Sequence, residues 1–247
     1  MRPVYRYPRS PVPVEFIDRP NRYLARVRVP PRGRPFLAHV PNPGRMEELL
    51  VPGCTSGVVV PVPSDTRRTR FDLVAVRHGR SWVSVDSRIG NRLVRRALDL
   101  GALRGLPRGP WKGEFTWGPH RFDFAQPGRD PSGLPRALLE VKCSNLKVGR
   151  TAFFPDAPTE RGARQLATLA RAARRGVASF VVFLVQRNDV DRFSPNAALD
   201  PRFATALTRA VRAGVRAVAY SCAVRPGSVR WGKPLPLAYA PDDQRLL

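Results

Sequence analysis

Two short segments hold the residue types that metal-assisted phosphodiester hydrolysis needs: Arg121-Phe122-Asp123-Phe124 and Leu138-Leu139-Glu140-Val141-Lys142. Each alternates charged and apolar residues, the pattern of a half-buried strand. Residues i and i+2 of a strand point to the same face. Glu140 and Lys142 therefore share a face, with Val141 turned into the core. Asp123 stands between two phenylalanines that anchor its own strand. If the two strands pair, Asp123, Glu140 and Lys142 converge. Two carboxylates, Asp123 and Glu140, can hold a hard cation through oxygen, here Mg2+ or Mn2+, with the Val141 carbonyl as a further donor. Lys142 beside them can orient a water or stabilise charge on a phosphate. A plain ion pair on a solvated sheet face is the competing reading of Glu-x-Lys.

Further members of the site are expected from position. Glu114 precedes Asp123 by one strand and is a candidate ligand or base, or else an exposed strand-end carboxylate. Gln186 ends an apolar run and is a candidate for binding water or phosphate. Glu160 and Arg161 open a helix, where an acid suits the helix dipole and the N-terminus suits a phosphate.

Those residues need a scaffold, and the 247-residue chain splits near residue 85. Tyr23 to Val29, Phe36 to Val40, Val58 to Val62, Phe71 to Val76 and Ser81 to Val85 read as five short strands with Gly/Pro punctuation. Residues 1–85 are expected to form an OB-like β-barrel that binds nucleic acid. A helix from Arg88 to Leu103 opens the second part, capped by Asp86 or Ser87 and ended by Gly101 or Gly105. Strands then follow at Glu114 to Trp117, Arg121 to Ala125 and Ala137 to Val141. After them come a helix from Thr159 to Arg175, an apolar strand from Ser179 to Gln186, a helix from Pro201 to Ala213 and a strand from Val215 to Tyr220. This order predicts an α/β domain with a central mixed sheet over 86–247. The tail from Pro226 reads as irregular wrapping.

Charge points to a polyanionic partner. Lys+Arg number 43 against 19 Asp+Glu, a formal net charge of +24. Lysine stands only at Lys112, Lys142, Lys147 and Lys233, so most of the excess is arginine. A GC-rich coding bias explains arginine in place of lysine but not the shortage of acids. DNA is the expected partner, bound through phosphates, without sequence preference and with steep salt dependence; RNA is the alternative polyanion. Arg67-Arg68-Thr69-Arg70 is the densest cluster, and Arg67, Arg68, Arg70 and Arg121 are the candidate phosphate contacts. Tyr23, Phe36, Phe71 and Trp82 lie in barrel strands, where aromatic rings either stack on bases or fill the core. Arg171, Arg174 and Arg175 end a helix, which suits its dipole as well as it suits DNA.

No apolar run is long enough to cross a bilayer, and Met1 to Pro20 lacks the apolar core of a signal peptide. A cytoplasmic protein with no membrane contact is expected. Cys54, Cys143 and Cys222 match no zinc spacing and suggest no disulfide framework, and Cys143 reads as a small buried residue. Oligomeric state has no signature in the sequence.

Several segments also occur together, in order: His39-Val40-Pro41-Asn42-Pro43-Gly44, Asn91-Arg92-Leu93-Val94, Arg121-Phe122-Asp123-Phe124, Glu140-Val141-Lys142, the stretch from Phe154-Pro155-Asp156-Ala157 to Thr159-Glu160-Arg161-Gly162, and Phe183-Leu184-Val185-Gln186-Arg187. From about residue 14 to residue 225 the chain resembles the sugar fermentation stimulation protein family. The resemblance implies an N-terminal oligonucleotide-binding barrel and a C-terminal nuclease-like domain of the Asp…Glu-x-Lys superfamily, PD-(D/E)xK. It also implies DNA binding and a link to control of sugar utilisation. The chain departs from the family pattern at Pro43, Pro158, Cys143-Ser144-Asn145 and Arg164-Gln165, where the family usually has a Lys-His pair. Two outputs follow from the same residues: a metal-dependent nuclease, or a non-catalytic DNA-binding regulator of sugar metabolism genes on a nuclease fold.

Overall fold

A computed structural model describes residues 3–63, 67–128 and 133–238. The chain begins with a short strand, β1 (Val4–Arg6), followed by β2 (Val12–Asn21), β3 (Leu24–Arg28), β4 (Phe36–His39), β5 (Ser56–Pro61), β6 (Phe71–His78) and β7 (Ser81–Ser84). Strands β2 to β6 close a five-stranded barrel. Antiparallel neighbours run β4-β3-β2-β5-β6, and a parallel contact at His39–Asp72 joins β4 to β6. The barrel interior is filled by alternate residues such as Val14, Phe16, Ala25, Val27, Val59 and Leu73, with Met46 and Leu49 plugging one end. That contact gives every strand of the ring two neighbours.

The expected barrel holds, with one change of membership. Val12–Asn21, which its prolines Pro13 and Pro20 conceal, is the longest barrel strand. Ser81–Ser84 extends β6 as a hairpin instead of closing the ring. Phe36 and Phe71 pack together with ring centroids 5.0 Å apart, whereas Tyr23 stands half-exposed.

Helix α1 (Ile89–Asp99) leads into a second, larger sheet built from β8 (Lys112–Trp117), β9 (His120–Gln126), β10 (Ala137–Ser144), β13 (Ala178–Val185), β15 (Arg216–Arg225) and β16 (Ser228–Leu235). Between these lie a small sheet of β11 (Lys147–Val148), β12 (Thr151–Phe154) and β14 (Arg192–Pro195), and helices α2 (Glu160–Arg174) and α3 (Pro201–Arg212). The large sheet runs β1-β16-β15-β13-β10-β9-β8 and is mixed, with β10, β13 and β15 parallel. Two features depart from expectation. The tail after Pro226 is the regular strand β16, paired with β15. Residues Val4–Arg6 pair with β16, so the first strand belongs to the large sheet and not to the barrel expected over 1–85.

Strand β13 explains the apolar run in the sequence. Phe180, Val182 and Leu184 face α1, and Val181, Phe183 and Val185 face α2 and α3. A parallel strand covered on both faces has no polar side to show. The helices start and stop by local chemistry. Thr159 caps α2 by accepting from Gly162 N at 3.2 Å, and Asp200 caps α3 by accepting from Phe203 N at 2.9 Å. Helix α1 lacks a side-chain cap, and Gly101 takes a positive φ of 62° just past its end.

Barrel and sheet are joined by buried polar contacts. Gln186 Nε2 donates to the Asp86 carbonyl at 2.7 Å and to Ser84 Oγ at 3.2 Å, and Ser84 N donates to the Gln186 carbonyl at 3.0 Å. The fully buried Arg187 donates to both Asp189 carboxylate oxygens, to the Asn145 carbonyl and to His78 Nδ1 at 3.1 Å. Arginine only donates, so His78 must accept and stay neutral. Burial lowers the His78 pKa first, and Arg187 and Lys147 lower it further against the opposing pull of Asp189.

This gives a signed prediction. The unfolded chain binds the His78 proton near its ordinary value of about 6.5, while the native chain resists it. Stability present above that value is lost as pH falls through the lowered native value. Urea unfolding between about pH 7.5 and pH 5 is expected to show this loss in the wild type. His78→Gln, whose amide oxygen still accepts from Arg187, is expected to lose part of the slope. Parallel curves for the two proteins would refute it.

Candidate functional site

Strands β9 and β10 pair only as far as Phe124–Leu139. Beyond that point they separate, and Val141 N donates at 2.8 Å to Asp123 Oδ2 in place of a ladder carbonyl. Asn91 Nδ2, from α1, donates to Asp123 Oδ1 at 2.6 Å. Asp123 is therefore fixed through both oxygens, by β10 on one side and by α1 on the other.

Glu140 and Lys142 do share a face, and it is the face toward α2. Lys142 Nζ donates to Glu140 Oε1 at 2.7 Å and to Gln165 Oε1 at 2.7 Å. An ammonium has three protons, so one remains for the cleft. Glu140 Oε2 is buried and has no hydrogen-bond partner. Burial raises the Glu140 pKa, Asp123 adds to the rise, and Lys142 opposes it. A buried carboxylate oxygen without a partner is costly, and a cation would satisfy it.

These residues form the floor of a cleft of about 610 Å³ between the barrel and the large sheet. The barrel supplies one wall through Arg22 and the Asn42-Pro43-Gly44 turn, where Gly44 N donates to Asn42 Oδ1 at 2.9 Å. The opposite wall is the Phe154-Pro155-Asp156 loop with the start of α2 at Thr159, Arg161 and Gly162. Gly44 is needed for this closure, since a Cβ there would stand 2.0 Å from Asp156 Oδ2. Burial also raises the Asp156 carboxyl, which faces the barrel turn.

The remaining expected site residues lie elsewhere. Glu114 sits on β8 beside Asp123 but has a positive φ of 53°, and its side chain is 76% exposed, 3.6 Å from Arg121. It does not line the cleft. Gln186 is fully buried at the junction of barrel and sheet, where it serves structure. Arg67 is not free for phosphate: it pairs at 2.6 Å with the buried Asp72, which Arg88 also neutralises. Arg68, Arg70 and Arg121 are exposed. Asp72 and Asp86 line a second cavity of about 380 Å³ between β1, the barrel and α1. Both of its acids are already paired.

Asn91, Gln165 and Asp156 are cleft residues whose roles the sequence reading missed. Gln165 had a signal. It shares the apolar stripe of α2 with Leu169 and Ala172 and is 2% exposed. A lone amide on such a stripe needs a buried partner, and Lys142 is that partner. Asn91 and Asp156 carry no comparable periodic mark.

Two successive parts of the chain match two families: "SfsA N-terminal OB domain" over residues 17–85 and "Sugar fermentation stimulation protein RE domain" over residues 88–228. The chain belongs to the sugar fermentation stimulation protein family. A family homolog from Clostridium tetani is 41% identical over 85% of this chain and 89% of its own length. One from Chloroflexus aurantiacus is 39% identical over 92% of this chain and 85% of its own. A solved structure described as Pyrococcus furiosus SfsA in complex with Ca2+ superposes with a TM-score of 0.83 and 26% identity, over 96% of this chain and 99% of that one. The family's barrel and mixed sheet are thus the fold of this chain.

Cys143, on the opposite face of β10 from Lys142, sits against α1. Its pKa is pushed up to about 12, by burial first, which favours the protonated thiol. A Cβ on Gly90 would lie 2.2 Å from Cys143 Sγ. Gly90 thereby lets α1 seat Asn91 on Asp123. Gly90→Ala is expected to cost about 1–3 kcal/mol by overpacking. Adding Cys143→Ala should recover most of it in thermal melts, because the clash is between those two side chains. A double variant no more stable than Gly90→Ala would show that the seating depends on something else.

Proposed function

We propose that the cleft binds a hard divalent cation and acts on the phosphodiester backbone of nucleic acid, with DNA as the preferred partner. One observation carries the reading: the unpartnered, buried Glu140 Oε2 beside Asp123, at the floor of a cleft walled by arginines. Asp123 and Glu140 would hold the cation. Among the described residues no group of three or more His, Cys, Asp or Glu side chains forms a metal cage. Two carboxylates suit Mg2+ or Mn2+, which keeps several waters and takes the rest of its shell from the substrate. The relative whose structure is described with Ca2+ supports a hard cation in this family.

The bound cation would supply Lewis acidity and lower the pKa of a bound water. The protein's own residues do the rest. Asn91 and the Val141 amide hold the Asp123 carboxylate in one orientation. Gln165 and Glu140 hold Lys142, whose third proton faces the cleft to orient a water or meet a phosphate oxygen. Arg22 from the barrel and Arg161 from α2 neutralise the backbone on either side. The net charge of +24 favours non-specific, salt-sensitive binding of DNA or RNA.

A second reading keeps the binding and drops the cleavage. The family name points to sugar utilisation, and a regulator on a nuclease fold would need only the cations. Calorimetric titration of Mn2+ separates the two when followed by incubation of the loaded protein with mixed DNA and RNA substrates. Wild-type protein is expected to bind one cation and nick DNA. Asp123→Ala should lose the cation and at least 100-fold in cleavage, the scale of a lost metal or base in such sites. Cation binding or DNA binding without any cleavage would favour the regulator. An unchanged titration in Asp123→Ala would sink the proposed metal site.

A further inference from the structure

Helix α2 carries a row of arginines. Arg161, Arg164, Arg171 and Arg175 are spaced three, seven and four residues apart. At 3.6 residues per turn those spacings put all four on one face. All four are exposed. Over fourteen residues the stripe runs about 21 Å, starting at Arg161 in the cleft wall.

The β8–β9 hairpin is seated at the middle of this stripe. A Cβ on Gly118, at its tip, would stand 3.9 Å from Thr168 Cγ2. Thr168 lies between Arg164 and Arg171 on the same face and is 2% exposed. His120 of the hairpin is lowered in pKa by burial first, then by Arg164, Arg161, Arg171 and Lys142. Arg175 lies 6.0 Å over the Trp117 ring. Glu160 is the acid beside the stripe, and its pair with Arg164 at 3.2 Å is exposed on both sides. Exposed pairs are weak and yield readily to a phosphate.

We infer that this stripe on α2, with the hairpin seated on it, is the track along which a DNA backbone leaves the cleft. The inference rests on the nucleic-acid reading proposed above and says which surface carries it. The stripe starts in the cleft wall at Arg161 and passes the hairpin tip at Thr168. Its length corresponds to roughly six nucleotide steps of one strand at about 3.4 Å each. The Arg67 to Arg70 segment, in contrast, has its first arginine engaged with Asp72.

The test is fluorescence anisotropy of a labelled DNA duplex of arbitrary sequence, about 30 base pairs long, across a salt series. The wild type is compared with Arg164→Gln/Arg171→Gln/Arg175→Gln and with Arg68→Gln/Arg70→Gln/Arg80→Gln, which removes the same charge from exposed barrel positions. Loss of three phosphate contacts should flatten the slope of log K against log salt by about 2.7. That flattening is expected in the α2 variant alone, with tenfold or greater weakening at about 0.1 M salt. Equal effects in the two variants would overturn the inference in favour of net charge, as would an unchanged slope in the α2 variant. A wild type that binds no DNA even at low salt would instead fail the nucleic-acid reading itself. A second measurement needs no variant: bound DNA should protect Arg164 and Arg171 of the wild type from phenylglyoxal and leave Arg68 and Arg70 reactive. Protection in the reverse order would overturn the track.

Discussion

Val141 sits where two strands part, and its amide proton has no ladder carbonyl to meet. A buried N–H left in that state costs as much as a lost hydrogen bond. The Asp123 carboxylate removes the cost, and that one bond orders the site around it. It places a carboxylate at the mouth of the sheet, opens room beside Glu140 and gives α1 a second anchor through Asn91. Hydrophobic burial brings β9 and β10 together, and this polar contact decides where they stop.

The same logic operates at the junction of barrel and sheet. Gln186 and Arg187 follow directly on the most apolar strand and end up fully buried. Each donates to groups from both halves of the chain: Gln186 Nε2 to Ser84 and Asp86, and Arg187 to His78 and Asn145. The cleft exists because this polar junction holds the Asn42-Pro43-Gly44 turn opposite the Phe154-Pro155-Asp156 loop. The barrel is thus a structural wall of the site as well as a neighbouring domain.

Much of this was legible in the sequence because it depends on period. Alternation in Leu138 to Lys142 and the unbroken run in Phe180 to Val185 report burial on one face and on two. The pair of acids and the lysine followed from the first of these. What was not legible depends on the path of the backbone. Glu114 is next to Asp123 in the sheet, yet a single left-handed residue turns it to solvent. Arg67 looked like a free cation because its partner, Asp72, reaches it only through the folded barrel. Prolines hid β2, and composition hid β16, since Pro and Arg near Pro226 resemble a loose tail until β15 supplies a partner. Gln165 was readable in principle, as an amide on an apolar stripe, and its role became clear only with Lys142 opposite.

One feature of the topology constrains motion. Strand β1 joins the large sheet before the barrel begins, and α1 returns to that sheet after it ends. In topological terms the barrel is an insertion, a bridge anchored on both banks. A domain appended by one linker can swing, and its cleft can open and shut about a single hinge. A domain tied at two points, with Arg96 gripping the Val4 carbonyl across them, can turn only about the line through those points, and the buried contacts of Gln186 and Arg187 oppose that turn. The width of the cleft is then a built dimension of the molecule. Whatever enters must fit that gap or bend to it, so the shape and deformability of the guest do the selecting where a closing lid would otherwise do it.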